Sequence, residues 1–116
     1  ELSWQGDANW TAEALSNVLK NALEHSQAGG MIAVQAAENP LHTEITVTDS
    51  GPGIDEAELP FLFQRFYKGR QAQPGSVGIG LALAKTILQS QNGDITAGNA
   101  PEGGAQFVIK LYKQIV

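Results

Sequence analysis

The sequence contains no cysteine among its 116 residues. Disulfide bridges, thiolate zinc sites and cysteine nucleophiles are therefore excluded. No apolar run approaches the roughly 20 residues of a membrane-spanning helix, and no signal peptide is recognisable, so we expect no direct insertion into a membrane. Basic residues are few, because 7 Lys and Arg stand against 12 Asp and Glu, with a net charge of −5 and a pI near 4.8. This acidic balance argues against nucleic-acid binding, which favours a basic surface.

The composition is otherwise that of a globular protein. Hydrophobic residues make up 42% and charged residues 16% of a 12.3 kDa chain, which predicts one domain over residues 1–116. Because the chain begins at Glu1 rather than at Met, we expect it to be a fragment of a longer protein. Its 13 glycines are clustered, and the clusters carry most of the functional information.

Hydrophobic periodicity predicts two helices and four or five strands. The first helix is expected from about Trp10 to Ser26 and the second from near Gly78 to about Gln91. The predicted buried face of the first helix consists of Leu15, Val18, Leu19, Ala22 and Leu23. The predicted strands cover residues 31–38, 43–49, 94–99 and 105–112, and residues 1–6 are either a further short strand or a lead-in. This order predicts an α+β fold, a two-layer α/β sandwich with a mixed sheet of about five strands and helices on one face.

The stretch between the third strand and the second helix has no clear periodicity. Pro60 is expected to open a short helical turn, since its missing N–H costs little at a first helical position. Leu62, Phe63 and Phe66 would share one side of this turn and anchor it. Residues 68–77 are predicted to form a mobile surface loop, and His42 is predicted to lie in the loop that follows Pro40.

The polar face of the first predicted helix carries two asparagines. Glu13, Asn17, Asn21 and Glu24 recur at spacings of four, four and three, and therefore lie on one side of the helix. A solvated face is the ordinary interpretation of such a pattern. Asparagine is nevertheless poor in helix interiors, because its amide competes for backbone hydrogen bonds. Amide oxygens are also hard ligands that suit Mg²⁺, which makes Asn17 and Asn21 candidate ligands.

Two glycine-rich segments and one basic segment are the other candidates. Asp49-Ser50-Gly51-Pro52-Gly53 is either an ordinary turn or a site in which the carboxylate accepts a hydrogen bond from an amine such as that of adenine. Residues 75–81 open the second helix, where free N–H groups favour phosphate, although such glycines also serve as hinges. Arg65, Lys68 and Arg70 are three of the seven cations and are placed to offset phosphate charge; the alternative for residues 63–70 is an aromatic anchor of a surface loop.

Taken in this order, the segments resemble the catalytic and ATP-binding domain of bacterial sensor histidine kinases. That domain has the Bergerat (GHKL, HATPase_c) fold, shared with DNA gyrase, heat-shock chaperone and mismatch-repair ATPases. The resemblance covers nearly the whole chain. Residues 17–26 resemble the family's N box, 49–53 its G1 box, 63–67 its F box, 78–81 its G2 box and 103–107 its last glycine-rich turn.

The resemblance implies a Mg-ATP site between the two helices, under a lid at about residues 66–78. It implies that Asn21 ligates Mg²⁺, that Asn17 supports the metal and the phosphates, and that Asp49 binds the adenine amine. With Lys68, the two asparagines are the implied catalytic residues. The implied nucleotide-binding residues are Asn17, Asn21, His25, Asp49, Gly51, Gly53, Ile54, Phe63, Tyr67, Arg70, Gly78, Ile79, Gly80 and Leu81.

The sequence departs from the family pattern at several positions. Glu24 replaces a frequent Lys or Arg, and Val77 replaces a frequent Ser or Thr, which removes a hydroxyl donor. His25 is either a phosphate or ribose contact or a partly buried residue at a helix end. Asn17 stands where the ATPases of the superfamily usually carry Glu, and an amide cannot accept a proton from water at neutral pH. The resemblance therefore implies phosphotransfer to a protein rather than rapid ATP hydrolysis.

The phosphoacceptor histidine is absent from this chain, because neither His25 nor His42 lies in a setting like that of the family's acceptor. The resemblance implies dimerisation and phosphoacceptor helices N-terminal in the same parent protein, a downstream response regulator and a cytoplasmic location. We expect the isolated domain to be monomeric and unable to autophosphorylate. Two alternatives remain: a relative that phosphorylates serine on an anti-sigma antagonist, and a domain that binds ATP without transferring phosphate.

Overall fold

Two helices and four strands form the part of the chain that the structure, a computed structural model, describes. The described residues are 8–25, 30–64 and 80–113. In chain order the elements are α1 (Ala8–His25), β1 (Ile32–Glu38), β2 (His42–Asp49), a short 3₁₀ helix (Leu59–Phe61), α2 (Gly80–Ser90), β3 (Gly93–Asn99) and β4 (Ala105–Tyr112). The two helices and these four strands begin and end within two residues of their predicted positions, because alternation and helical periodicity are local properties of the sequence.

The strands form one sheet in the order β1-β2-β4-β3, and each neighbouring pair is antiparallel. The register places Val47 of β2 opposite Val34 of β1 and Phe107 of β4. The α+β class is confirmed. The sheet, expected to be mixed and about five-stranded, is antiparallel and four-stranded within the described residues, and the expected fifth strand at residues 1–6 lies outside them.

The core lies between one face of the sheet and the two helices, as the two-layer prediction requires. Alternate residues of a strand point to the same face, so the inward residues of β2, β3 and β4 meet the apolar side of α1 and α2. The largest fully buried side chains are Phe107, Leu88, Ile95, Ile109, Val18 and Val47. The helices run antiparallel, since Thr11 of α1 hydrogen-bonds Gln91 after α2, whereas Asn17 lies beside Gly80 at the start of α2.

The buried face of α1 differs from the predicted one. Ala14, Val18 and Ala22 are at most 1% exposed, whereas Leu19 is 36% and Leu23 63% exposed. The prediction included Leu19 and Leu23 in the buried face and was wrong for these two. Small side chains at Ala14 and Ala22 let α1 approach the sheet and α2 closely, and this packing turns the helix so that the alanine edge faces inward.

The remaining expectations about local structure have mixed outcomes. Pro60 does lie in a helical turn, and Leu62 and Phe63 pack against the core. His42 is not in a loop: it begins β2, is half-buried and makes an edge-on ring contact with Tyr112, with ring centroids 5.7 Å apart. Phe66 and the loop at 68–77 lie outside the described residues. Within the described ranges, neither helix combines the length and apolarity that crossing a bilayer demands.

Candidate functional site

Asp49 is the last residue of β2 and is 4% exposed. Its side chain is on the helix side of the sheet, because it shares a face with the buried Val47. The Oδ1 atom accepts hydrogen bonds from the N–H of Gly51 at 2.9 Å and from the N–H of Ala105 at 3.1 Å. The Oδ2 atom is buried and has no hydrogen-bond partner among the described residues. A buried polar atom without a partner is costly, so this oxygen is suited to receive a donor from a ligand.

Gly104 packs directly against Asp49. Its φ is +87°, and a Cβ built there would overlap the carbonyl oxygen of Asp49 and lie 2.9 Å from the carbonyl carbon. The turn that carries it is closed by hydrogen bonds from the Ala100 N–H to the Gly104 carbonyl at 2.9 Å and from the Gly103 N–H to the Ala100 carbonyl at 3.0 Å. Only glycine can adopt this backbone conformation and also lie this close to the Asp49 backbone. The β3–β4 turn therefore packs directly against Asp49 and restricts its position.

The turn that follows Asp49 is held by the ends of two strands. The Ser50 hydroxyl accepts a hydrogen bond from the Met31 N–H at 2.8 Å, just before β1. Asn99, the last residue of β3, accepts the Ile54 N–H on Oδ1 at 2.7 Å and donates from Nδ2 to the Ile54 carbonyl at 2.8 Å. Gly53 has a φ of +87°, and a Cβ there would lie 2.7 Å from Asn99 Oδ1. The segment 50–54 is thus fixed in space by the Asn99 side chain and by the bond of its own Ser50 hydroxyl to the Met31 N–H.

A second group of predicted residues meets where α1 passes the start of α2. Asn17 is half-buried, and its Nδ2 atom is buried without a hydrogen-bond partner in the described parts of the chain. Gly80 begins α2, and a Cβ there would lie 3.9 Å from Asn17 Cβ. The first N–H groups of a helix have no partner within the helix and carry partial positive charge, so Asn17 lies beside an anion-favouring helix end. Asn21, one turn further along α1, is also half-buried.

Lys85 of α2 joins three parts of the fold. Its Nζ lies 3.0 Å from Asp94 Oδ1, donates to the Ile95 carbonyl at 3.1 Å and lies 4.8 Å from the centre of the Phe63 ring. Burial acts to raise the pKa of Asp94, but hydrogen bonds from the Ile95 N–H and from Lys85 outweigh it and lower the pKa below its ordinary value of 3.8. Through Lys85, this contact network connects Phe63 with α2 and β3.

The structure brings some of the predicted site residues together and leaves others apart. Asp49, Gly51, Gly53 and Ile54 form one group, and Asn17 and Gly80 form another. Phe63 and Leu81 pack with the core, and His25 is the last residue of α1. The other predicted residues, which lie outside the described part of the chain, are Tyr67, Lys68, Arg70, Gly78 and Ile79.

Sequence reasoning missed Asn99 and Lys85, and it named Gly104 only as part of a glycine-rich turn. The pair Gly103-Gly104 before a strand was a usable signal for a tight turn. No local signal connects Asn99 with Ile54, because the two residues are 45 positions apart. Lys85 lies in an ordinary amphipathic helix, where a lysine indicates only a solvated position.

The donor set available for a metal is made of amides. Within residues 8–25, 30–64 and 80–113, no group of three or more His, Cys, Asp or Glu side chains could hold a metal ion. Magnesium bound to a nucleotide needs only one or two protein ligands, because waters and phosphate oxygens complete its coordination. The half-buried amide of Asn17 beside the start of α2 fits that kind of site, since rotation of the amide presents its oxygen in place of the unpaired nitrogen.

Comparison with known proteins gives matches in both sequence and fold. The profile of the family described as "Histidine kinase-, DNA gyrase B-, and HSP90-like ATPase" matches residues 6–115. The chain is 39% identical over 118 residues to the signal transduction histidine-protein kinase/phosphatase MprB of Mycobacterium sp. (strain KMS), an alignment that covers 93% of this chain and 23% of that protein. The chain therefore spans about a quarter of the length of this curated relative.

Solved structures show the same fold. The mycobacterial sensor histidine kinase MprB superposes with a TM-score of 0.86 at 30% identity, covering 97% of this chain and 78% of that one. Full-length ShkA in complex with AMPPNP superposes with a TM-score of 0.77 at 22% identity, covering 96% of this chain and 23% of that one. With a profile match over nearly its whole length, the chain belongs to the histidine kinase-, DNA gyrase B- and HSP90-like ATPase family, as a catalytic domain of the histidine protein kinases.

Proposed function

We propose that this domain binds Mg-ATP and donates the γ-phosphate to a histidine on a separate dimerisation domain of the same parent protein. The observation that carries the proposal is Asp49, whose Oδ1 is held by two backbone N–H groups while its buried Oδ2 has no partner in the described structure. The exocyclic amine of adenine supplies the missing donor. A guanine presents a carbonyl oxygen at the equivalent position, which the carboxylate repels. Adenine nucleotides are therefore the expected ligands.

The phosphates are assigned to the region where Asn17 meets Gly80. The first turn of α2 contributes free N–H groups and the positive end of its dipole, which favour an anion. Asn21 and Asn17 would hold Mg²⁺ through their amide oxygens, and Mg²⁺, when bound, neutralises charge on the phosphates. We assign further charge neutralisation to Lys68 and Arg70, and contacts with the nucleotide to His25, Tyr67, Gly78 and Ile79.

Phosphotransfer to a histidine is favoured over hydrolysis because Asn17 cannot act as a base. An amide does not take a proton from water at neutral pH, so nothing at this position activates a water molecule. A ring nitrogen of the acceptor histidine attacks the γ-phosphorus, the bond to the bridging oxygen breaks, and ADP leaves. The contribution of the domain is to hold ATP in line with the acceptor and to offset charge.

The parent protein supplies what this chain lacks. We propose that its dimerisation and phosphoacceptor helices present the histidine, that a response regulator receives the phosphoryl group, and that the domain acts in the cytoplasm. Nucleotide binding in the similarly folded ShkA, which was solved with AMPPNP, supports the ligand class. The isolated domain would then be a monomer that binds ATP without labelling itself.

Asp49→Asn tests the adenine contact. Asparagine keeps an acceptor for the Gly51 and Ala105 N–H groups but places an NH₂ where Oδ2 lies. Loss of a hydrogen bond to a charged group costs about 1.5–3 kcal/mol, so titration calorimetry with ADP and ATP, with and without Mg²⁺, should show affinity lowered roughly 10- to 150-fold.

Glu44→Gln is the matched control, because it makes the same chemical change on the same strand at the end far from Asp49. It should leave nucleotide affinity unchanged. Equal affinity for ADP in the Asp49→Asn variant and the unmodified chain would contradict the proposed site.

The transfer step needs a separate experiment with labelled ATP. The domain alone should gain no label, and addition of the parent's acceptor-helix domain should yield an acid-labile phosphohistidine on that domain. Acid-stable phosphate on a serine of an added antagonist protein would indicate the serine-kinase alternative. Nucleotide binding with no transfer to either acceptor would indicate a domain that only binds ATP.

A further inference from the structure

We propose that Asn99 is a positioning residue that sets the preference of the site for adenine over guanine. The inference rests on the proposed function, since it concerns the same nucleotide site. Asn99 belongs to none of the glycine-rich motifs. It is the last residue of β3, is exposed, and bonds with both ends of its amide to the backbone of Ile54.

The two hydrogen bonds fix both the position and the orientation of one peptide segment. Oδ1 accepts the Ile54 N–H at 2.7 Å and Nδ2 donates to the Ile54 carbonyl at 2.8 Å, so the segment cannot rotate without breaking one of the two. Gly53 lies so close that a Cβ there would be 2.7 Å from Asn99 Oδ1. The side chain therefore determines where the turn after Asp49 lies relative to the sheet.

This clamp, the pair of hydrogen bonds between Asn99 and Ile54, adjoins the contacts that hold Asp49 in place. The Cβ position of Gly53 is 3.8 Å from the carbonyl carbon of Gly104, and Gly104 packs directly on the Asp49 backbone. The end of the β3–β4 hairpin thus holds both the carboxylate and the turn beside it. Asn99 holds the turn, and Gly104 with Ala105 holds the carboxylate.

Base discrimination depends on this rigidity. Asp49 Oδ2 accepts from an amine and is repelled by a carbonyl oxygen only if the base is held in one orientation. When the turn loses its clamp, adenine is less well aligned with the carboxylate, and guanine can shift away from it. Asn99 itself does not touch the base, so its effect passes through Gly53 and Ile54.

The chain offers a matched control in Asn39. Its Oδ1 accepts the N–H groups of Leu41 at 2.8 Å and His42 at 2.9 Å in the β1–β2 turn, at the opposite end of the sheet. Asn39→Ala and Asn99→Ala each remove an asparagine that bonds two backbone groups beside a strand. Both are expected to lower the melting temperature by a similar amount.

The test measures the dissociation constants of ADP and GDP, together with melting temperatures, for the unmodified chain, Asn99→Ala and Asn39→Ala. Asn99→Ala is expected to weaken ADP about tenfold and GDP much less, so that the ADP-to-GDP preference falls by a similar factor, because misalignment of a bound group costs affinity steeply. Asn39→Ala is expected to leave both constants unchanged. Asn99→Asp keeps the acceptor and loses the donor, and it should also lower the preference.

The outcomes separate this inference from the proposed function. If the unmodified chain binds ADP and Asn99→Ala leaves the preference for ADP intact, the inference is overturned and the proposed function stands. An equal loss of preference in Asn39→Ala would assign the effect to general destabilisation and overturn the inference as well. Absence of ADP binding to the unmodified chain would overturn both.

Discussion

Gly103 and Gly104 are adjacent residues with positive φ, at +102° and +87°, but their surroundings differ. A Cβ at Gly103 would have no atom within 4 Å, whereas a Cβ at Gly104 would overlap the backbone of Asp49. The first glycine is needed for backbone conformation alone, and the second also for space. Substitutions at the two positions therefore distinguish the effect of backbone strain in the turn from the effect of displacing Asp49.

Alanine at each of these positions is expected to have different effects. Gly103→Ala should cost about 1–2 kcal/mol of unfolding free energy, the strain of a left-handed alanine, and should leave ADP affinity unchanged. Gly104→Ala should cost more than that, because Asp49 must move, and it should abolish ADP binding. Urea unfolding and calorimetry on both variants would check this. Similar losses of affinity in the two variants would contradict the close packing of Gly104 on Asp49.

At the scale of elements, Lys85 connects α2 with the edge of β3 and with Phe63. The ion pair with Asp94 is partly open to solvent, since the Asp94 side chain is 43% exposed. Solvent screening limits such a pair to about 0.2–1 kcal/mol. Its importance lies in geometry, because the same ammonium contacts the Phe63 ring and the Ile95 carbonyl.

The Asp94 carboxylate should stabilise the domain in a pH-dependent way. The pKa of Asp94 in the folded state is lowered from the ordinary value of 3.8. The ionised carboxylate therefore stabilises the fold above pH 3.8, and this stabilisation is lost as the pH falls through the lowered pKa of the folded state. Asp94→Asn is expected to be slightly less stable than the unmodified chain at pH 7, and this difference should shrink in acid. Urea unfolding across the pH range would measure the difference. A difference in unfolding free energy between the two proteins that stays constant with pH would contradict this prediction.

Two leucines of α2 give a second comparison between elements. Leu88 is 1% exposed within the core, and Leu83 is 39% exposed on the same helix. Leu88→Ala should lower the unfolding free energy by about 2–5 kcal/mol, because it removes buried apolar volume and leaves a cavity. Leu83→Ala should change it by less than about 1 kcal/mol. Comparable losses measured by chemical denaturation would show that the packing of α2 differs from that described.

For the whole molecule, the proposed ligand would connect elements that are far apart along the chain. Asn17 lies in α1, Asp49 ends β2, Gly80 begins α2 and Asn99 ends β3. A nucleotide that contacts several of these elements binds only the folded chain. It should therefore raise the stability of the entire domain.

Thermal unfolding with ADP tests this coupling. At a concentration 100 times the dissociation constant, a ligand of the folded state adds about 2.7 kcal/mol of stability, which corresponds to a rise in melting temperature of roughly 10 °C for a domain of this size. Asp49→Asn, with affinity lowered roughly 10- to 150-fold, should remove about half to nine-tenths of the rise at the same ADP concentration. An equal rise in the variant would show that the nucleotide binds elsewhere.

The amino-acid sequence by itself was sufficient for the two helices, four of the predicted strands, the α+β class and the family. Alternation in β2 and β4, helical periodicity in α1 and α2, and the glycine and proline turns are effects of neighbours along the chain, so they are readable without a structure. The adenine contact of Asp49 stays a prediction, because the sequence left open whether residues 49–53 form an ordinary turn or a ligand site; the structure adds the buried Oδ2 without a partner among the described residues. The roles of Tyr67, Lys68 and Arg70 stay predictions.

Only the tertiary structure decided which face of α1 is buried and how Asp49 is held. Ala14 and Ala22 face the core because of how closely α1 packs against α2 and the sheet. The clamp of Asn99 on Ile54 joins residues 45 positions apart, and the contact of Gly104 with Asp49 likewise forms only when β4 pairs with β2. Such contacts depend on distances in space, and the local pattern of a sequence contains no information about atoms that only folding brings together.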